Sequence, residues 1–184
     1  MRILGISGSL RKDSHNTALL RAAAELLPSG VQLELFDGLK AIPPYDADED
    51  TPELQGPAVQ ALKDAIERAD AVLISTPEYN HSIPGVLKNA LDWASRPVAD
   101  TVLRGKPAAV IGASTGLFGA VWAQAEVRKV LGAIGAEVVD RELPVMQAHA
   151  QFDEYGNLHE EDLRGQLAEH VAALVEAASK KVAA

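Results

Sequence analysis

Short apolar runs alternate along this chain with longer stretches in which apolar positions recur every three or four residues. Residues 2–6 (RILGI), 71–75 (AVLIS) and 107–113 (PAAVIGA) are nearly continuous apolar runs. That is the form a strand takes when both of its faces are covered. Residues 31–36 (VQLELF) alternate in the manner of a strand, and 137–143 (EVVDREL) can supply a fifth. Helical periodicity marks 16–27 (NTALLRAAAELL), 57–69, 84–95, 119–134 and 160–178. Pro84 and Gly85 stand where a helix begins, a position that tolerates proline well. The long interruption is 37–56, DGLKAIPPYDADEDTPELQG, rich in proline and acid.

Strands that alternate with helices predict a parallel sheet covered on both sides. Five strands fit the order 2-1-3-4-5, the three-layer, doubly wound arrangement called flavodoxin-like. With no internal repeat or linker in sight, residues 1–184 read as a single domain. Ligands in this architecture bind beyond the carboxyl ends of the strands, near the topological switch. Three loops should meet there: Ser7–His15, Thr76–Ser82 and Ser114–Phe118, all rich in small and polar residues.

The first loop suits a phosphate. Ser7, Gly8, Ser9, Arg11, Ser14, Asn16 and Thr17 surround the first strand-to-helix turn. A helix N-terminus offers unpaired N–H groups and the positive end of a dipole. Hydroxyls and the Asn16 amide can donate to phosphate oxygens, and Arg11 adds charge in a planar fork. Neither a G-x-x-x-x-G-K-[ST] loop nor a G-x-G-x-x-G fingerprint is present, so a single terminal phosphate fits better than a triphosphate. Ordinary helix capping by Ser14 or Asn16 is the plainer alternative for either residue alone. Pro77, Glu78, Tyr79 and Asn80 form a stiff turn with one aromatic ring, suited to border a flat heteroaromatic ligand. Ser114, Thr115 and Gly116 are small enough to line its other side.

Composition narrows the chemistry. The 184 residues are 47% hydrophobic, carry a formal net charge of -9 and include no cysteine. The acidic balance argues against a nucleic-acid partner. The missing cysteines exclude disulfides, thiol redox chemistry and cysteine-ligated clusters, so any redox role needs an organic cofactor. His15, His81, His149, His159 and His170 show no metal-binding spacing, and no metal site is expected. Trp93 and Trp122 read as core or interface, and His81 as an exposed turn residue. The N-terminal apolar run is too short for a signal peptide, and no stretch is long enough to span a membrane, so a cytoplasmic location is expected.

Three stretches, GSLRKDSHN, PEYNHSIPGVLKNALDW and the looser AQAEVRKVL, resemble the signature regions of the NADPH-dependent FMN reductase family. Gly119–Ala120 stands where many of that family carry a glycine pair. The resemblance implies non-covalent FMN as cofactor, NAD(P)H as co-substrate, and a quinone or similar acceptor (chromate, azo or nitro compounds). It implies that Ser9, Arg11, Ser14, Asn16 and Thr17 hold the phosphate and that Pro77, Glu78, Tyr79 and Asn80 border the ring. Ser114, Thr115 and Gly116 would complete the pocket. Tyr79 and Asn80 are the nearest candidates for substrate contact; no side chain is assigned as acid or base, because the cofactor carries the chemistry. A homodimer or homotetramer is implied too, a neighbouring subunit helping to close the site. Two other roles stay open at this point. One is a flavodoxin-like electron carrier or redox-sensing module, the other a reductase that releases FMNH2 to a partner enzyme.

Overall fold

Small and branched apolar residues fill β3 (Ala71–Thr76) and β4 (Pro107–Ala113), and every residue of both strands is buried. They form the middle of a parallel sheet whose order is β2-β1-β3-β4-β5, with β1 at Arg2–Ser7, β2 at Gln32–Phe36 and β5 at Glu137–Val138. The structure, a computed structural model, describes residues 1–153 and 155–182. Helices α2 (Gly56–Arg68), α3 (Gly85–Ala94) and α4 (Val121–Ile134) cover one face through Leu62, Leu91, Trp93 and Leu131. Helices α1 (His15–Glu25) and α5 (Glu161–Val182) cover the other through Leu19, Leu20, Leu167 and Leu174. The three-layer, flavodoxin-like order expected from the hydrophobic pattern is the one observed.

The fifth strand differs from expectation. Residues 137–143 do not form one strand; β5 is followed by a break and then by β6 (Pro144–Val145), both paired with β4. The Val139 N–H still donates to the Ala108 carbonyl at 2.8 Å, but Arg141 N–H turns back onto the Val139 carbonyl at 3.0 Å. Asp140, Arg141 and Glu142 are too polar for a buried ladder and loop outward. The buried Gln124 of α4 serves the far side of the break: Oε1 accepts from Leu143 N–H at 3.2 Å, and Nε2 donates to the carbonyls of Leu143 (3.2 Å) and Gly119 (2.9 Å). A side-chain amide thus supplies what the missing strand would have supplied. Gly119 must be glycine, since its φ is +56° and an added Cβ would lie 2.5 Å from the Pro144 carbonyl carbon. Ala120 takes the same left-handed backbone, φ 60°, in the place of a second glycine.

The acidic segment 37–56 is tied down rather than slack. Asn89 Nδ2 and Trp93 Nε1, four residues apart on α3, both donate to the Pro43 carbonyl, at 2.8 and 2.9 Å. Asn89 Oδ1 also accepts from Tyr45 N–H at 2.7 Å.

His170, on α5, is 2% exposed, and its Nε2 meets no protein partner among the described residues. Burial lowers its pKa to about 4, helped by the nearby Arg141 and Arg128 guanidinium groups, while the Val110 backbone pulls weakly the other way. An unfolded histidine titrates near 6.5, so below that pH the unfolded chain takes up a proton that the folded chain refuses. The stability tied to neutral His170 is therefore complete above pH ~6.5 and is lost as pH falls toward 4, a change approaching about 3 kcal/mol. Urea unfolding at pH 7, 5.5 and 4 should show a steeper loss in the native protein than in His170→Leu. Equal slopes for the two would remove His170 as the cause.

Candidate functional site

Strands β1, β3 and β4 end on one edge, and the loops that follow them enclose a cleft of about 320 Å³. A cavity at Arg2, Glu34 and Arg68, about 20 Å³, has room for no more than a water. Ser9, Arg11, Ser14, His15 and Asn16 form one wall of the large cleft. Pro77, Glu78 and Tyr79 form a second, and Ala113, Ser114, Thr115 and Gly116 a third.

The first wall combines a helix cap with open donors. Ser14 Oγ accepts from the N–H groups of Asn16 (3.2 Å) and Thr17 (3.4 Å), capping α1. No protein acceptor among the described residues meets the N–H groups of Leu10, Lys12, Asp13 or His15. Arg11 is exposed and forms no ion pair among the described residues. Such a run of unmet donors along residues 10–15, beside a guanidinium and a helix start, suits an anion.

Asn16 works differently from the reading as a phosphate donor. Its side chain is buried, its Nδ2 donates to the Ala113 carbonyl at 2.9 Å, and its Oδ1 accepts from Ala113 N–H (3.0 Å) and Ser75 Oγ (2.9 Å). It is a strut joining the start of α1 to the ends of β3 and β4. Thr17 lies off the cleft wall, its hydroxyl donating to Ser7 Oγ at 2.9 Å beneath the loop. Gly8 gives no approach to a ligand either. A Cβ there would sit 3.0 Å from Leu87 Cδ2 and 3.2 Å from Pro77 Cδ, so the glycine lets the first loop pack on the second.

The second wall ends in a two-residue hairpin. Tyr79 and Ser82 exchange both backbone hydrogen bonds, 3.0 and 3.1 Å, around Asn80 (φ 54°) and His81 (φ 60°). Positive φ at both central positions is the requirement of a type I′ turn. Asn80 stands at the tip, off the cleft wall, because it fills this turn position. His81 is exposed, as expected, and its ring meets Trp122 edge-on at 4.8 Å.

Two glutamates hold this turn against α4. Glu78 Oε2 accepts from Trp122 N–H (3.1 Å) and Ala123 N–H (3.2 Å), supplying the cap that Ala120 cannot. In return Glu126 Oε2, on α4, accepts from Ser82 Oγ (2.5 Å) and Ile83 N–H (3.4 Å). The third wall is fixed from β6 onward: Ala148 N–H donates to the Ser114 carbonyl and Gln147 N–H to the Gly116 carbonyl, each at 2.9 Å. Around the mouth stand exposed apolar side chains, Tyr79, Leu117, Phe118, Trp122 and Met146. Phe118 and Trp122 are in ring contact, with centroids 4.9 Å apart.

Sequence reading missed His15 and Ala113 on the wall. Ser14 as N-cap makes His15 the first helical residue, with an N–H open to a ligand, and that much was legible. Ala113 carried no signal. A half-buried, doubly bonded Glu78 should contribute to stability as a cap does, so Glu78→Ala should lose about 1–2 kcal/mol in denaturant unfolding. Glu78→Gln keeps an acceptor oxygen and should lose less than half of that. An undiminished stability in Glu78→Ala would reject the capping role.

A family model described as NADPH-dependent FMN reductase matches residues 1–150. An NAD(P)H-dependent FMN reductase of Pseudomonas aeruginosa is 43% identical over 176 residues, covering 95% of this chain and 93% of the relative. A 2-hydroxy-1,4-benzoquinone reductase of a Burkholderia species is 42% identical over 167 residues, 89% of this chain and 88% of the relative. Among solved structures, FerB of Paracoccus denitrificans, a flavoenzyme NAD(P)H:(acceptor) oxidoreductase, superimposes with a TM-score of 0.85. It is 38% identical, with 97% of each chain covered.

Proposed function

The chain belongs to the NADPH-dependent FMN reductase family, and from that premise we infer that it is an FMN-dependent oxidoreductase taking reducing equivalents from NAD(P)H to a quinone or a similar small acceptor. The observation that carries the reading is the convergence of three loops of different chemistry on one cleft. The first offers donors to an anion; the other two offer flat and small surfaces.

The residues fit FMN. Arg11, the Ser9 hydroxyl and the open N–H groups at Leu10, Lys12, Asp13 and His15 suit a single dianionic phosphate. Pro77 and Tyr79 on one side and Ser114, Thr115 and Gly116 on the other suit a planar ring system. Bound FMN supplies hydride acceptance and electron delivery to the acceptor. The chain's own part is to orient and to hold still. Asn16 fixes the spacing of the phosphate wall from Ser75 and Ala113. Glu78 and Glu126 fix the Tyr79 turn on α4, so Tyr79 meets a substrate on a braced support.

We read residues 1–184 as one flavodoxin-like domain, since both cores share the same sheet. Among the described residues no helix is long and apolar enough to cross a membrane; the location proposed is the cytoplasm. A homodimer or homotetramer is proposed as well. The apolar collar of Leu117, Phe118, Trp122 and Met146 borders an open cleft, and a second subunit seated there would cover both. Sedimentation at micromolar concentration should show an oligomer that Phe118→Glu with Trp122→Glu shifts toward monomer; a monomeric native protein would reject this.

The purified protein should carry flavin absorbance and turn over NADPH with a simple quinone. A flavin-loaded protein that holds electrons without turnover would favour the electron-carrier reading instead. FMN should bind far more tightly than riboflavin, and Arg11→Ala should narrow the gap by roughly tenfold or more, the worth of a charge-assisted hydrogen bond. Equal affinity for the two flavins in the native protein would overturn the phosphate assignment.

A further inference from the structure

Helix α4 turns one side inward and the other to solvent. Ala123, Gln124, Val127 and Leu131 are buried. Trp122, Ala125, Glu126, Lys129, Gly132 and Ala133 are exposed. The two ends of that outer face differ in shape. At its start stand the exposed rings of Phe118 and Trp122, in contact with each other, with His81 edge-on to the indole. At its end lies a cleft of about 340 Å³, between α4, the end of α3 and the segment 95–104. Val98, Val130, Ala133 and Ile134 give this cleft an apolar lining, and Arg96 and Arg104 stand on its walls.

The walls are held in place. Arg104 Nη2 donates to the Val98 carbonyl at 2.8 Å, the Arg96 guanidinium lies over the Tyr45 ring at 5.4 Å, and Lys88 pairs with Asp92 at 2.5 Å. An apolar hollow edged by guanidinium groups suits an aromatic side chain, which buries its faces and offers π density to the cations. Such a side chain protrudes at the other end of the same helix. From Trp122 to Ala133 is about 16 Å along the helix axis.

A projection and a hollow on one molecule close on each other in a two-fold pair, where each copy receives what it inserts. Two α4 helices running antiparallel, with Trp122 of one opposite Ala133 of the other, meet that condition. The same register sets Glu126 opposite the partner's Lys129, and Lys129 opposite the partner's Glu126, because both pairings are centred on one point of the helix. The charge match is independent of the shape match that selected the register. Glu126 Oε2 is taken by Ser82 and Ile83, which leaves Oε1 for a lysine. Ala125 and Gly132 keep the face low, so the two axes can approach to about 8 Å.

We propose that α4 docks on α4 of a second copy, antiparallel about a two-fold axis, with each Trp122 seated in the partner's cleft beside Ala133. The proposal rests on the oligomer proposed above and names the surface that the apolar collar meets. Trp122 borders the flavin cleft, so the docking also brings the partner's Arg96 edge to the mouth of that cleft. An acceptor then enters past groups of two chains.

Sedimentation of the FMN-loaded protein, combined with carbodiimide cross-linking, tests it. The native protein should assemble. Carbodiimide joins a carboxylate to an amine in contact, and should give a covalent dimer through Glu126 and Lys129 on a denaturing gel. Lys129→Arg keeps the charge, so it should keep the assembly and lose that product. Ala133→Trp fills the hollow, and Lys129→Glu sets like charges together twice; each should weaken the dimer roughly tenfold or more. Both positions are exposed, and an unchanged circular dichroism spectrum verifies the fold. A covalent dimer that is absent or indifferent to Lys129→Arg overturns the pairing, and so does assembly that Ala133→Trp and Lys129→Glu leave intact. If Phe118→Glu with Trp122→Glu dissociates the protein while those two variants do not, the oligomer stands and its collar meets another surface. A monomeric native protein overturns both.

Discussion

One buried amide sets the shape of the working edge. Asn16 is the second residue of α1, yet its side chain bonds to the end of β4 and the end of β3. Three chain segments far apart in sequence are locked at fixed spacing by a group too deep to exchange its partners for water. An unmade bond there would leave buried polar atoms without compensation. The walls of the cleft are therefore positioned before any ligand arrives, which is the condition under which binding energy is not consumed in ordering loops.

The same logic repeats outward. Gln124 patches the gap between β5 and β6, Glu78 caps a helix from a neighbouring loop, and Glu126 returns the contact. Asn89 and Trp93 hold the acidic segment through a single carbonyl. These residues fall in or beside the two motifs that carry the family resemblance after the first. Much of what those motifs encode is bracing, and the ligand-facing surface is what the bracing leaves exposed.

That division explains what could be read in advance. β1, β3 and β4 were legible because double burial leaves an uninterrupted apolar run. The broken fifth strand was not, because Leu143 beyond the break is held by a glutamine on a helix, which periodicity cannot report. The three loops meet at one edge, as strand order alone requires. The roles of their residues were harder: Asn16 and Thr17 carry polar hydrogen-bonding groups, as Ser9 and Arg11 do, but point inward. Residue type declares what a side chain can bond to, and only the surrounding packing declares in which direction.

Trp93 and Trp122, the chain's two tryptophans, occupy opposite environments. The first is fully buried, with its indole N–H on the Pro43 carbonyl and Tyr45 edge-on at 4.9 Å. The second is 40% exposed and sits between His81 and Phe118 beside the cleft. Their emission should divide by colour, a shorter-wavelength band from the core and a longer-wavelength, quencher-accessible band from the rim. The molecule thus carries two built-in optical channels, one reporting the integrity of the interior and the other what settles at its mouth.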